Sequence, residues 1–206
     1  KEKKITIGDL KAFFERGREK IDVGIDKSFD KTSELFPTYF ENEAVKFKAE
    51  PKDKSRVWPT EFRQKALPFF LEGPVHALKV EKDPERRRGL LRAVRRSKLY
   101  DTKLGMYKVN TSLENCSFEI GRARVFKPGW LENESIWLHM EYKFILELLK
   151  SGMVEEFYSD FKKMLVPFQS PARYGRSPLE NSSFIVSSAF SDASLHGGGF
   201  IARLSG

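Results

Sequence analysis

Glu132, Asn133, Glu134 and His139 crowd together with Trp130, Trp137 and Tyr142 in the stretch FKPGWLENESIWLHMEYKFILELLK, Phe126 to Lys150. These residue types can do a particular chemistry. Carboxylates and amides bond to sugar hydroxyls, indole faces stack on the apolar faces of pyranose rings, and a histidine can donate to an anion. They are the materials of a carbohydrate site. A capped core helix holding one packed histidine uses the same residues, so both readings stand at this level.

The elements that must position these side chains follow from spacing. Pro128-Gly129 predicts a turn. Asn133 suits an N-cap, and Glu134 suits a first helical turn, where the dipole favours negative charge. Trp137, Met140, Phe144 and Leu148 recur at helical spacing, flanked by Ile136, Ile145 and Leu149, and Gly152 stands where the helix should stop. A second amphipathic helix is predicted from Met153 to Leu165, with Val154, Phe157, Phe161, Met164 and Leu165 on one face and Pro167 beyond it. The link Ser151-Gly152 is short enough to demand an antiparallel helical hairpin.

Upstream, Asp83, Pro84 and Glu85 open an arginine-rich helix running to Lys98. Leu90, Leu91 and Val94 turn inward, and Arg86, Arg87, Arg88, Arg92, Arg95 and Arg96 ring the rest. Residues 1–36 read as a polar, peripheral helix with Asp9 as a cap and Leu10, Phe13, Phe14 and Ile21 in a stripe. Val45, Phe47 and Ala49 alternate as a short strand, Pro59-Thr60 opens a helix carrying Phe62, Ala66 and Leu67, and Gly73-Pro74 marks a turn before a packed His76. Residues 99–127 read as loop with short extended pieces. Residues 167–206 are loop-rich, and Gly197-Gly198-Gly199 lacks the strand and the Lys-Ser/Thr of a phosphate loop.

The 206 residues suffice for one sizeable core, and 18 Phe argue for a packed domain rather than disorder. No apolar run approaches a membrane span, and the opening KEKKITIGDL is not a signal peptide. A single cysteine, Cys116, excludes an internal disulfide and fits a reducing compartment. The net charge of +8 is concentrated in the arginine-rich helix, which suits either a nucleic-acid surface or a solvated helix face. The chain begins at Lys1 without an initiator Met, and the expectation is a piece of a longer protein.

The Pro128-Gly129 turn, the pair Glu132-Asn133 and a histidine seven residues after that Glu, His139, together resemble the inverting glycoside phosphorylases of the cellobiose phosphorylase and β-glucan phosphorylase type. In that family two glycines follow Glu-Asn; here Glu134 and Ser135 replace them. Glu180, His196-Gly197 and Ser205-Gly206 match further family motifs in order. The resemblance is clearest from Glu119 to Gly206 and weaker from Pro59 to Asp101.

The resemblance implies a mainly α fold, a partial (α/α)6 barrel with long loops and a few short strands. Residues 1–206 would form one partial domain, the C-terminal portion of the catalytic barrel, with 1–58 peripheral. It implies phosphorolysis of a β-gluco-oligosaccharide with inversion, giving α-glucose 1-phosphate. His139, Ser205 and Gly206 would bind phosphate; Glu132, Asn133 and Glu180 would bind the substrate. Trp130 joins the substrate set on chemistry alone, as a stacking surface. The general acid would be an Asp in an upstream Asp-Trp-Asn-type motif that this sequence lacks, so no catalytic residue is expected here and the chain alone should be inactive. Inorganic phosphate is a co-substrate; no cofactor, metal, nucleic acid or membrane is implied, the setting is cytoplasmic, and the full-length protein would form a homodimer. Two alternatives remain at this level: an inverting hydrolase on the same barrel with Glu132 as base, and a non-catalytic basic binding module.

Overall fold

The computed structural model describes residues 4–53, 55–165, 168, 170 and 184–200. Its centre is the predicted helical pair, α4 (Leu138–Lys150) and α5 (Val154–Met164). The helix α4 buries Leu138, Phe144, Ile145 and Leu148. It stops as its sequence demands. Gly152 sits at φ +80°, its N–H donates to Leu149 O, and Met153 N donates to Leu148 O. That is the Schellman arrangement, in which a left-handed glycine lets the last carbonyls be satisfied.

Two more helices pack on this pair, α2 (Glu72–Val80) and α3 (Pro84–Arg96). Asp83 caps α3 through Glu85 N and Arg86 N, Pro84 sits in its first turn, and Leu90, Leu91 and Val94 are buried, all as the sequence predicts. The main core joins these helices through Leu71, Val75, Leu78, Leu91, Val94, Leu99, Tyr107, Phe144, Leu148 and Met164. The first helix, α1 (Ile7–Ser28), is capped by Thr6 with Asp9 answering as the third helical residue, so Asp9 completes a capping box and is not itself the cap. No side chain of α1 is buried, in keeping with its peripheral reading.

The mainly α partial barrel is overturned. Alongside the five α-helices, the described residues form three small antiparallel sheets, so the architecture is a mixed α and β one, not inner and outer rings of helices. The largest departure lies where Pro59-Thr60 predicted a helix. Residues β1 (Phe40–Ala49) and β2 (Val57–Ala66) instead form a long hairpin with a bulge near Val45. Trp58, Phe62 and Gln64 lie opposite Lys48, Ala44 and Asn42, and this cross-strand pairing outweighs the helix-opening Pro. In a two-stranded sheet each strand has a free edge, so the missing N–H of Pro59 is tolerated. Gly73-Pro74 is likewise no turn: both lie in the first turn of α2, where an absent N–H costs nothing.

The remaining strands are short. Residues β3 (Tyr100–Asp101) and β4 (Met106–Tyr107) pair with each other. Residues β5 (Ile136–Trp137), β6 (Phe184–Ile185) and β7 (Gly199–Phe200) form a three-stranded sheet in that order. This sheet explains why α4 starts later than Asn133. Ile136 and Trp137 are taken into a strand by Ile185 and Phe184, and the helix can begin only at Leu138. A second apolar cluster, Trp137, Phe184 and Val186 with Trp130, Met140 and Phe190 around them, lies on this sheet.

The Pro-Gly turn is where the sequence placed it. Gly129 sits at φ +84°, and a Cβ there would come within 2.4 Å of Phe190 N. Gly129→Ala should therefore destabilise the fold by at least about 2 kcal/mol, adding a backbone clash to the left-handed strain. Chemical denaturation measures it; an unchanged midpoint would mean that the turn and the 187–190 segment are not packed together.

Candidate functional site

The loop from Lys127 to Ser135 is fixed by its own backbone and by partners from three other segments. Gly129 N donates to Asn133 O at 2.8 Å, and Leu131 and Glu134 both sit in the left-handed region at φ +46° and +60°. Asn133 is wholly buried: its Oδ1 accepts from Leu113 N at 3.0 Å and its Nδ2 donates to Phe126 O at 2.7 Å. Asn110 reads the same loop, with Nδ2 donating to Glu132 O and Oδ1 accepting from Glu134 N. Glu134 is paired with Lys108 at 2.7 Å, both side chains nearly buried. Trp137 Nε1 and Ser135 Oγ both donate to Leu131 O.

This lacing presents Glu132. Its Oε1 accepts from Arg122, while Oε2 is buried without a hydrogen-bond partner among the described residues. His139, the second residue of α4, lies on the other side of β5 with its ring edge-on to Trp137, centroids 5.7 Å apart. Glu132, Trp137 and His139 line one pocket of about 230 Å³ together with Tyr39, Phe70, Glu72, Val109 and Met140. Small-molecule pockets usually span roughly 300–1,000 Å³. This pocket lies below that range. The positive end of the α4 dipole lies beside His139, and that end carries no side-chain cap.

Not every predicted site residue reaches the pocket. Asn133 neither caps α4 nor can touch a ligand, because both ends of its amide are spent inside the loop. Trp130 packs against Phe184, Phe190 and Phe200 with ring centroids 5.1–5.4 Å apart, so it is part of the second core and not a free stacking surface. Glu180, Ser205 and Gly206 lie outside the described residues. His196 of the His-Gly element holds a loop: its ring nitrogens meet Phe190 O at 2.7 Å and Lys103 Nζ at 2.8 Å. His76 is exposed beside Glu72 rather than packed.

A scan against known protein families finds no match to this chain, and no curated protein matches it.

Sequence reasoning missed Tyr39 and Glu72. Neither sits in a motif, and only the fold brings them to residues 132–139. Tyr39 Oη donates to Glu72 Oε2 at 2.6 Å, and that bond, with burial and the carboxylate's charge, raises the phenol to about 12. Tyr39 is thus a fixed donor at neutral pH. A wider depression of about 520 Å³ lies on the hairpin among Glu41, Glu43, Arg63, Gln64, Lys65 and Ser117. Arg63 and Glu43 in its lining pair with each other at 2.6 Å.

The arginine-rich helix is largely matched within the chain. Arg88 pairs with Glu85, Arg95 with Asp160, Arg96 with Glu34 and Arg86 with Glu81, while Arg87 donates to Glu81 O. Among the described residues no helix is long and apolar enough to cross a membrane.

Glu141 in the first turn of α4 is buried, accepting from Tyr107 N at 2.8 Å. Desolvation holds its carboxyl well above the ordinary value of 4.5, with Asp160 and Asp101 adding to the rise against the bond from Tyr107. The raised value has a pH signature. With the folded value raised, the contribution of Glu141 is complete below about pH 4.5 and is lost as pH rises, because the unfolded chain releases its proton first. Glu141→Gln should flatten the decline of stability as pH rises above the ordinary carboxyl value. Denaturation midpoints across that range test it, and parallel slopes in variant and wild type would show that Glu141 is ionised in the fold.

Proposed function

We propose that this chain contributes the sugar and phosphate contacts of an inverting carbohydrate phosphorylase, which cleaves β-glucosidic bonds with inorganic phosphate to give α-glucose 1-phosphate. The observation that carries the reading is the placement of Glu132 and His139 in one pocket against the Trp137 indole. A carboxylate oxygen with spare acceptor capacity takes a sugar hydroxyl, and the imidazole donates to the phosphate. The order of motifs through Glu180, His196-Gly197 and Ser205-Gly206 supports the same assignment, with Ser205 and Gly206 completing the phosphate contacts and Glu180 a substrate contact.

In the reaction, a phosphate oxygen bonds to the anomeric carbon from the face opposite the leaving group as the glycosidic C–O bond breaks. The leaving oxygen takes a proton from a carboxylic acid. That acid belongs to an Asp-Trp-Asn-type motif, which the sequence of this chain does not contain. The single thiol of Cys116 fits a cytoplasmic setting.

Incubating the intact protein with β-1,3- and β-1,4-gluco-oligosaccharides, with and without phosphate, tests the reading. The expected product is α-glucose 1-phosphate, formed only with phosphate. Free glucose released at equal rates under both conditions would make the protein a hydrolase with Glu132 as base.

A further inference from the structure

Helix α1 leaves an apolar face unused. No side chain of this helix is buried, yet Ile7, Leu10, Phe13, Phe14 and Ile21 form a stripe along it. Leu10 is 48% exposed and the other four are 64–86% exposed. In proteins most helical stability comes from packing such a face. Gly17 and Gly24 lower the intrinsic propensity of α1 further. A helix of this length and composition calls for a surface against its stripe.

The charges of α1 specify the chemistry of that surface. At about 3.6 residues per turn, Lys11 and Arg18 fall along one edge of the stripe, and Arg16, Lys20 and Lys27 fall along the other. Glu15, Glu19, Asp22 and Asp26 fall on the side away from it. Asp9 is the acidic residue at a basic edge, and it is engaged in the capping box with Thr6. The helix carries five basic and five acidic residues, so the arrangement of charge matters here and not its sum. A second copy of α1 fits poorly, because two such stripes laid together in either direction bring basic edge against basic edge. A phospholipid surface fits every part. The stripe sinks beneath the phosphates, the Lys and Arg stems lie along apolar surface while their heads reach the phosphates, and the acidic side faces water. We propose that α1 is an interfacial helix that lies in the plane of an anionic phospholipid surface, the kind presented by a cytoplasmic leaflet. Lying on a membrane is distinct from crossing one, for which no described helix is long and apolar enough. The inference is independent of the phosphorylase reading, and it adds a membrane surface where the family resemblance implies none.

The test is co-sedimentation of the intact protein with vesicles of phosphatidylcholine alone and of phosphatidylcholine mixed with phosphatidylglycerol, at low and at physiological salt. Wild type should partition onto the mixed vesicles, bind phosphatidylcholine more weakly, and lose affinity as salt rises. Phe13→Ser/Phe14→Ser should lower the partition coefficient at least tenfold, because two large apolar side chains no longer enter the interface. Neither ring is buried, so the melting temperature should hold and will show that the fold survives. The exchange Glu19→Lys/Lys20→Glu/Asp26→Lys/Lys27→Asp keeps composition and net charge but moves basic groups from the edge of the stripe to the far side. It should weaken binding to the mixed vesicles severalfold. General attraction of a chain of net charge +8 to anionic lipid would not respond to that exchange. The proposal falls if wild type stays in the supernatant at low salt, or if either variant binds as wild type does. A protein that ignores vesicles but forms a dimer, made monomeric by Phe13→Ser/Phe14→Ser, would give the stripe to a second copy and overturn the proposal.

Discussion

His139→Ala should lower the phosphate-dependent rate of the intact protein by roughly a hundredfold, the cost of deleting one fixed donor to a developing or bound oxyanion. The helix itself should survive the substitution. His139 is the second residue of α4 and only partly buried, and alanine is the best helix former, so the helix should persist. Its neighbour Trp137 keeps its own bond to Leu131 O and its stacking on Phe184. What disappears is the imidazole in the pocket beside the positive end of the α4 dipole. The loss should appear mainly as a raised KM for phosphate and a lowered kcat, with the KM for oligosaccharide little changed. His139→Gln, which retains an N–H donor, should recover part of the rate. Equal phosphate dependence in wild type and His139→Ala would remove the imidazole from the phosphate site and leave it a role in sugar contact or packing.

The parts legible in the sequence are those whose information is local. Asp83-Pro84-Glu85 and the inward Leu90, Leu91 and Val94 specify α3 within a few residues of themselves. Gly152 stops α4 by equally short-range bonds. What misled was long-range pairing. Ile136 and Trp137 fit the helical stripe of α4 on spacing, yet Phe184 and Ile185 draw them into β5 and strip Asn133 of its expected cap role. Pro59 reads as a helix opener until Phe47 and its neighbours are known to pair opposite. The barrel expectation failed at the same level, since a motif series concentrated after Glu119 carried no information about a hairpin at residues 40–66. The candidate site divides along the same line. Glu132, Trp137 and His139 stand close together in sequence and could be read as a group. Tyr39 and Glu72 meet them only through backbone hydrogen bonds between residues 69–71 and 109–111.

The loop that presents Glu132 depends on a buried ion pair, and Lys108→Leu should cost about 3–5 kcal/mol, the usual penalty for leaving one charge of such a pair uncompensated. Lys108 Nζ lies 2.7 Å from Glu134 Oε1, with side-chain exposures of 8% and 9%. Glu134 cannot turn to solvent, because Asn110 holds its N–H and Ser187 its carbonyl, and its backbone is pinned at φ +60°. In a domain of this size each kcal/mol moves the melting temperature by about 2–4 °C, so a drop of roughly 10 °C is expected. The double variant Lys108→Leu/Glu134→Leu should recover much of the loss, since it deletes both charges and leaves two apolar side chains in the same volume. A cycle with additive losses would show that the two side chains act independently. Sugar binding supplies the functional half of the test. Glu132 O is bonded by Asn110, whose other amide atom accepts from Glu134 N. A loop loosened at Glu134 therefore releases the carboxylate that lines the pocket. Lys108→Leu should weaken cellobiose binding while the chain is still folded, and the double variant should restore it together with the melting temperature.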